Sequence, residues 1–375
     1  MIGVLGTGTH NRGAELMLLA ICEHIRHRFP GHELAVPPGF GSREDLERYS
    51  LSTAEFFSPR IAAVLRVLLS AASRVSMRSI TTVLDASGFA YSSRCAWGPG
   101  SLKQLAAGVQ RFERFGINTI LMPQALGPFD TPADRDNFRK IMRHSRLVFA
   151  RDSESFRHVK DLGAPMDNVR LAPDFTNLVD SPRAADKSVD RRTVLIVPNL
   201  RMVDHGATPM DEYVRFLRAI SDGVGRLGFK SIFLLHDPKG DSKVIERLRT
   251  ADGLVRVLEA TDPLELKAAL GAAALVCGSR FHALVGSLSQ AVPTLGMGWS
   301  HKYAELFKDY RSEDCLIEVG GRGRERLDGL LSDLLTGPGR LKRISLLEEC
   351  AREQKTFARK MWAEVDAVIR ERNRP

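Results

Sequence analysis

Short apolar runs alternate along this chain with longer stretches whose apolar positions recur every three or four residues. The first run, Ile2-Gly3-Val4-Leu5-Gly6, predicts a strand, and the turn after it leads into a helix over 13–28. Thr82-Val83-Leu84-Asp85-Ala86-Ser87-Gly88 is a second strand passing into a loop. Helical spacing over 101–115 precedes a strand at 119–122 that ends at Pro123. A helix at 134–144, a strand at 147–150 and a helix at 153–162 follow. Such alternation predicts a mostly parallel sheet covered by helices.

Residues 180–192 (DSPRAADKSVDRR) are polar, contain proline and lack apolar periodicity, as an interdomain linker does. The alternation then restarts. Strands are predicted at 194–197, 231–235, 255–258, 273–277 and 293–297, with helices at 210–227, 241–250 and 263–270. A further apolar helix covers 283–289, and 340–372 is a long helix or a helix pair. The expected fold class is α/β, with two Rossmann-like domains facing a central cleft. The first would span 1–180 and the second 191–339. A C-terminal helical segment, 340–375, would brace them.

Composition narrows the partners. Of the 375 residues 43% are hydrophobic and 26% charged, which is ordinary for a folded protein. The net charge of +9 is scattered, without lysine-rich blocks or aromatic-basic interleaving, so nucleic acid is not the expected partner. A diffuse positive charge suits anionic small substrates or an anionic membrane surface. The five cysteines form no C-x-x-C pair, a reduced pattern with no zinc signature, and Cys277 reads as inert packing. The N-terminus enters a strand without a basic leader, which predicts a cytoplasmic protein. The best apolar stretch, 61–80, is broken by Arg66, Arg74 and Arg78. It predicts an amphipathic helix packed on its own domain, with peripheral contact at the inner face of the cytoplasmic membrane as the alternative.

The chemistry concentrates where predicted strands end. Leu275-Val276-Cys277-Gly278 is a buried strand, and Ser279-Arg280-Phe281-His282 then opens an apolar helix. Helix N-termini at the carboxyl ends of parallel strands attract anions. A fixed cation and a titratable imidazole there suit an anionic substrate that needs a proton moved. Gly6-Thr7-Gly8-Thr9-His10-Asn11-Arg12-Gly13 resembles a phosphate-cradling turn without the dinucleotide or P-loop spacing; it presents His10 and Asn11 to a ligand. Pro123-Gln124-Ala125-Leu126-Gly127-Pro128 forms a rigid loop from which Gln124 could hold a sugar hydroxyl. Ala150-Arg151-Asp152-Ser153 again puts an arginine at a strand end, with Asp152 as a helix cap, and Asp174 belongs to a turn. His236-Asp237 reads as a satisfied loop pair. Trp299-Ser300-His301-Lys302-Tyr303 follows the strand beside the one before Arg280, so Lys302 would approach His282. No metal-ligand spacing and no nucleophile elbow occur.

Taken in order, Asn11-Arg12-Gly13-Ala14-Glu15, Asp85-Ala86-Ser87-Gly88-Phe89, Pro123 to Pro128, Ala150-Arg151-Asp152, Pro173-Asp174, Arg280-Phe281-His282 and Lys302 resemble the polysaccharide pyruvyl transferase family. The resemblance implies a glycosyltransferase-B-like fold. It also implies transfer of the enolpyruvyl group of phosphoenolpyruvate (PEP) onto two hydroxyls of a sugar, as a ketal, in envelope or exopolysaccharide synthesis. The family's residues fall on Arg151, Arg280, His282 and Lys302. His282 and Lys302 would be catalytic, and Arg280, Arg151, Asn11, His10, Gln124, Ser279 and His301 would bind substrate. PEP is then a co-substrate, no cofactor or metal is needed, and the sugar acceptor is lipid-linked or nucleotide-linked. A cation near His282 would lower its pKa and favour a base role. Two alternatives stay open on the same fold: a nucleotide-sugar-dependent glycosyltransferase, and a non-catalytic glycan-binding relative.

Overall fold

The computed structural model describes residues 1–56, 74–95, 100–181, 188–204, 206–252, 255–260 and 262–372. They fall into two compact units. The first comprises Met1–His10, Met17–Phe175 and Phe357–Pro375, and the second Asn11–Leu16 and Thr176–Thr356.

In the first unit, strands β1 (Ile2–Leu5), β2 (Leu34–Val36), β3 (Leu51–Ala54), β4 (Arg74–Val75), β5 (Thr82–Asp85), β6 (Asn118–Gln124), β7 (Leu147–Ala150) and β8 (Val169–Leu171) form one parallel sheet. Its order is β4-β3-β2-β1-β5-β6-β7-β8. The chain reverses direction across the sheet between β1 and β5, so the loops after those strands flank the switch point where open α/β sheets bind ligands. Helices α1 (Arg12–Arg28), α2 (Arg43–Arg48), α3 (Ser101–Arg114), α4 (Pro132–His144) and α5 (Ser153–Lys160) connect the strands. Leu121, Val148 and Ala150 meet Ala106, Val109, Phe138 and Ile141 in one apolar layer.

In the second unit, β9 (Thr193–Val197), β10 (Lys230–Leu235), β11 (Val257–Glu259), β12 (Leu275–Gly278), β13 (Thr294–Met297) and β14 (Leu316–Ile317) are ordered β11-β10-β9-β12-β13-β14, again all parallel. The switch point lies between β9 and β12. Its helices are α6 (Arg201–Asp204), α7 (Met210–Arg226), α8 (Pro238–Asp252), α9 (Pro263–Ala272), α10 (Phe281–Leu288), α11 (His301–Asp309) and α12 (Gly321–Leu335). The period of two along β9 divides its side chains between two cores. Val194 and Ile196 pack with Phe216, Leu217 and Leu331, while Leu195 and Val197 pack with Leu266, Ala269 and Leu270. Both faces being covered explains why this strand reads as a continuous apolar run.

Several expectations are corrected. Of the two alternatives for 340–372 the long helix is found, α13 (Arg340–Arg372), but from Phe357 onward it belongs to the first unit. The first turn of α1 groups with the second unit. The division falls between Phe175 and Thr176, ahead of the polar stretch 180–192, of which 182–187 lie outside the described residues. Strand β6 does not end at Pro123 but continues to Gln124, with a register shift against β7 between Leu121 and Gln124. Proline has no N–H for the ladder, so the strand passes it at an irregularity. The stretch 61–80 is not one helix: residues 74–75 are strand β4 and Met77–Ser79 a single 3-10 turn, while 61–73 lie outside the described residues. Among the described residues no helix is long and apolar enough to cross a membrane.

Candidate active site

The turn after β12 is held by a closed set of hydrogen bonds. Ser279 is fully buried, and its hydroxyl is 2.6 Å from the Tyr213 hydroxyl. Its carbonyl accepts from Asn199 Nδ2 at 2.6 Å and from Tyr303 Oη at 2.9 Å. The Asn199 N–H donates to Tyr213 Oη at 3.0 Å. Ser279, expected to bind substrate, is thereby committed to shaping the turn between the switch-point strands. Burial pushes the Tyr213 phenol well above its ordinary pKa, so it stays a neutral hydrogen-bonding post.

Arg280 is the residue before α10 and is itself buried. Its Nε donates to Asp241 Oδ2 at 2.9 Å, and its Nη2 bonds both Asp241 Oδ1 and Asp237 Oδ2, the latter at 3.1 Å. Asp241 also accepts from the Leu200 and Asp237 N–H groups. Burial pushes the Asp241 carboxyl up, against the pull of Arg280. Burial lowers the pKa of Arg280, and Asp241 and Asp237 more than restore it, so the arginine stays charged. Two of the three guanidinium nitrogens are therefore occupied by carboxylates. Among the described residues only Nη1 has no such partner.

Two helix starts meet at His282. Asn11 caps α1, its Oδ1 accepting the Gly13 N–H at 2.8 Å. A Cβ added at Gly13 would lie 2.4 Å from His282 Nδ1 and 2.8 Å from its Cγ. Glycine is required for this approach, which brings the Asn11-Arg12-Gly13 motif against Arg280-Phe281-His282. Arg12 Nε donates to the Ala260 carbonyl at 3.3 Å, and its Nη1 pairs with the buried Glu15. Asn11, expected to touch substrate, uses its side-chain oxygen to build this junction.

Lys302 lies in the first turn of α11, with its ammonium over the Trp299, Tyr303 and Phe281 rings at 4.7, 5.4 and 5.5 Å from their centroids. Cation–π contacts of this kind favour a charged ammonium held in place. Its approach to His282 runs through Phe281, whose ring meets the imidazole edge-on at 5.5 Å. His301 opens the same helix.

His236 follows β10 and is 2% exposed, with Nδ1 lacking any hydrogen-bond partner. Burial, then Arg280, His282 and Arg12, depress its pKa well below the ordinary histidine value, so it is neutral at pH 7. The expected satisfied pair is half right: Asp237 is satisfied by the Gly240 N–H and Arg280, but His236 is not.

The first unit holds the remaining expected residues. Gln124 is buried, its Nε2 donating to the Asp85 carbonyl at 3.2 Å while Oε1 has no partner. Arg151 is buried, with Nη1 3.5 Å from Asp174. Asp152 caps α5 through the Ser155 N–H at 2.7 Å, as expected. His10 is exposed, its ring close beside Gly8. At the switch point, Asp85 accepts from the Ser87 N–H and hydroxyl and from the Tyr91 hydroxyl at 2.6 Å. Burial pushes the Asp85 carboxyl above its usual range, these hydrogen bonds opposing it. Asp85, Ser87 and Tyr91 line a cavity of about 490 Å³ whose other walls include Leu5, Phe56, Leu105 and Val109. Among the described residues no group of three His, Cys, Asp or Glu is placed to hold a metal ion.

The partners of Arg280 escaped sequence reading because Asp241 sits early in α8, one turn past a strand end, where an acid reads as a helix-dipole residue. Tyr213 and Asn199 likewise carry no local signal.

Comparison with solved structures supports the fold assignment. The chain is similar to the UDP-GlcNAc 2-epimerase of Neisseria meningitidis bound to UDP-GlcNAc (TM-score 0.58, 12% identity, 97% of this chain and 98% of that one). It is similar to S. aureus MnaA in complex with UDP (TM-score 0.63, 11% identity, 98% and 96%). It is also similar to Anabaena HepE in complex with UDP (TM-score 0.55, 12% identity, 98% and 99%). At such identities the likeness is one of fold, and the fold is glycosyltransferase-B-like. A comparison of the sequence with curated proteins gives no significant match. The family model for polysaccharide pyruvyl transferase matches residues 11–301, and the chain belongs to that family.

Proposed function

We propose that the chain transfers the enolpyruvyl group of PEP onto two hydroxyls of a sugar, forming a pyruvate ketal on a glycan of envelope or exopolysaccharide synthesis. The observation that carries this reading is the junction of Gly13 with His282, which unites two family motifs far apart in sequence. In the reaction, a proton is added to the PEP methylene and C2 becomes oxocarbenium-like. One sugar hydroxyl attacks C2 and loses its proton. The second hydroxyl then displaces phosphate, so PEP and a diol become ketal and inorganic phosphate.

His282 is the group assigned to move these protons, a role imidazole side chains commonly fill. Lys302, fixed by its three aromatic neighbours, supplies positive charge toward the PEP carboxylate or phosphate. Arg280 acts chiefly through position: its ion pair with Asp241 sets the start of α10 and with it His282, and only Nη1 remains to meet an anion. Arg151 and the Asp85–Ser87–Tyr91 cluster belong to the acceptor side, where buried hydroxyl and carboxyl groups suit a sugar. The acceptor is carried on a lipid or a nucleotide, and no cofactor enters the scheme.

The test is phosphate release from PEP across a panel of glycan acceptors. His282→Ala should lower turnover by about 10²–10⁴-fold, the usual contribution of a general acid–base group, with the melting temperature unchanged. Full turnover in that variant would remove His282 from the mechanism. One observation favours a second reading: the similar structures above were solved with UDP or a UDP-sugar. If UDP raises the melting temperature and PEP does not, the chain is a nucleotide-sugar enzyme of this fold.

A further inference from the structure

The family reading leaves Arg12 and His236 without a role, and together they answer a difficulty it raises. Arg280, the obvious cation for a phosphate, has Nε and Nη2 bound to carboxylates. Something else must meet a second, doubly charged group.

Three features converge beside it. The N-terminus of α10 has no side-chain cap, since the preceding residue is Arg280 and its side chain turns to Asp241. A helix of eight residues carries partial positive charge there. Next, the start of the 17-residue α1 comes against the same turn through Gly13 and His282, bringing Arg12 with it. Arg12 is tied by Nε to Ala260 and by Nη1 to Glu15, which fixes the plane of its guanidinium and leaves Nη2 as the donor with no partner among the described residues. Finally, His236 is buried to 2% exposure with Nδ1 unbonded among the described residues; it follows Leu235, which pairs with Glu259 beside the Ala260 carbonyl that holds Arg12, and it precedes Asp237, which holds Arg280. A buried polar atom without a partner is costly and rare in folded proteins. A neutral imidazole can offer one N–H to an anion without needing a counter-charge of its own.

We infer that Arg12 Nη2 and His236 Nδ1–H, with the uncapped start of α10, form a binding site for a phosphate group. The inference rests on the proposed function only for the identity of the phosphate's owner, PEP. The anion need not displace the carboxylates on Arg280, because it is met by donors those carboxylates do not use. Glu15 on Arg12 and Asp237 and Asp241 on Arg280 set three carboxyl groups against two guanidiniums, so an anion here is held by the hydrogen bonds it makes and not by net charge.

Calorimetric titration of the full chain with inorganic phosphate, PEP and UDP separates the possibilities. His236→Ala should weaken inorganic phosphate and PEP alike by about 10-fold or more, as expected for a hydrogen bond to a charged group. His236→Asn, which keeps an N–H near the Nδ1 position, should recover most of that loss. Arg12→Gln, which can still donate to Glu15, should weaken both ligands to a similar extent. His236→Ala removes a buried ring and should lower the melting temperature of the unliganded protein, so the titrations are run well below the melting temperature of every variant, and recovery of binding by His236→Asn separates the lost donor from the lost packing. If the variants weaken phosphate and UDP while PEP binds to none of the proteins, the phosphate site stands and the PEP reading falls. If wild type and variants bind phosphate and PEP equally well, or wild type binds no phosphate-bearing ligand, the site is refuted.

Discussion

Each unit buries an aspartate at the carboxyl edge of its sheet, and the two are given different partners. Asp85, at the end of β5, is surrounded by neutral donors, Ser87 and Tyr91. Asp241, early in α8, is forked by the Arg280 guanidinium. Burial pushes both carboxyls up; hydroxyl and amide donors oppose it at Asp85, while at Asp241 a guanidinium opposes it and also fixes the geometry of the carboxylate. The difference teaches which ligand each edge can face. The hydroxyl-rich edge of the first unit suits an uncharged sugar. Under the proposed function the second unit, where Arg12, His282 and the start of α10 lie beside Arg280 and its carboxylates, faces the anionic donor.

The largest break in this contrast should come from Arg280→Ala. It leaves Asp241 buried without its partner, and losing one half of a buried pair costs about 3–5 kcal/mol. Urea denaturation should show that loss, and Arg280→Met combined with Asp241→Leu should recover much of it. Equal stability of Arg280→Ala and wild type would mean the pair does not organise the turn.

Gly13→Ala should cost little stability but about a hundredfold in turnover, because the new methyl must push His282 aside and a displacement near 1 Å has that scale of effect. The split between intact melting and lost turnover is the readout. Tyr213→Phe removes the hydroxyl that meets both Ser279 and the Asn199 N–H, and should lower stability by about 1–3 kcal/mol.

The smallest effect sharpens the first-unit side. The Asp85 pKa is raised in the folded state, so its contribution is fully present below the ordinary carboxylate value of 3.8 and is lost as pH rises through the raised value. Melting curves of wild type minus Asp85→Asn should therefore decline from about pH 4 upward. A difference that grows with pH would mean that the hydrogen bonds to Asp85 outweigh its burial.

Much of this was legible in the chain because the central strands are covered on both faces. β1, β7, β9 and β12 announce themselves as unbroken apolar runs, and the residues just after them are where the chemistry lies. The edge strands β4, β8 and β14 and the short inner strand β2 were not legible, since two or three residues carry no period. The Arg280–His282 turn could be read from strand, glycine, cation and imidazole in succession. What the side chains there do could not. Ser279 is spent on Tyr213 and Arg280 on Asp241, partners far away in sequence and joined only by the sheet order. Gly13 looked like a turn glycine, and its need arises from a ring in the other half of the sequence. His236 looked satisfied because an aspartate follows it, yet that aspartate turns to Arg280 instead.

The central claim is that the Gly13–His282 junction binds PEP. Its most direct test is the melting temperature of wild type and Gly13→Ala, each with and without saturating PEP, with UDP as the control. The account predicts a rise with PEP in wild type that is lost or much reduced in Gly13→Ala, and no comparable rise with UDP. A PEP-dependent rise of equal size in both proteins, or a response to UDP alone, would contradict it.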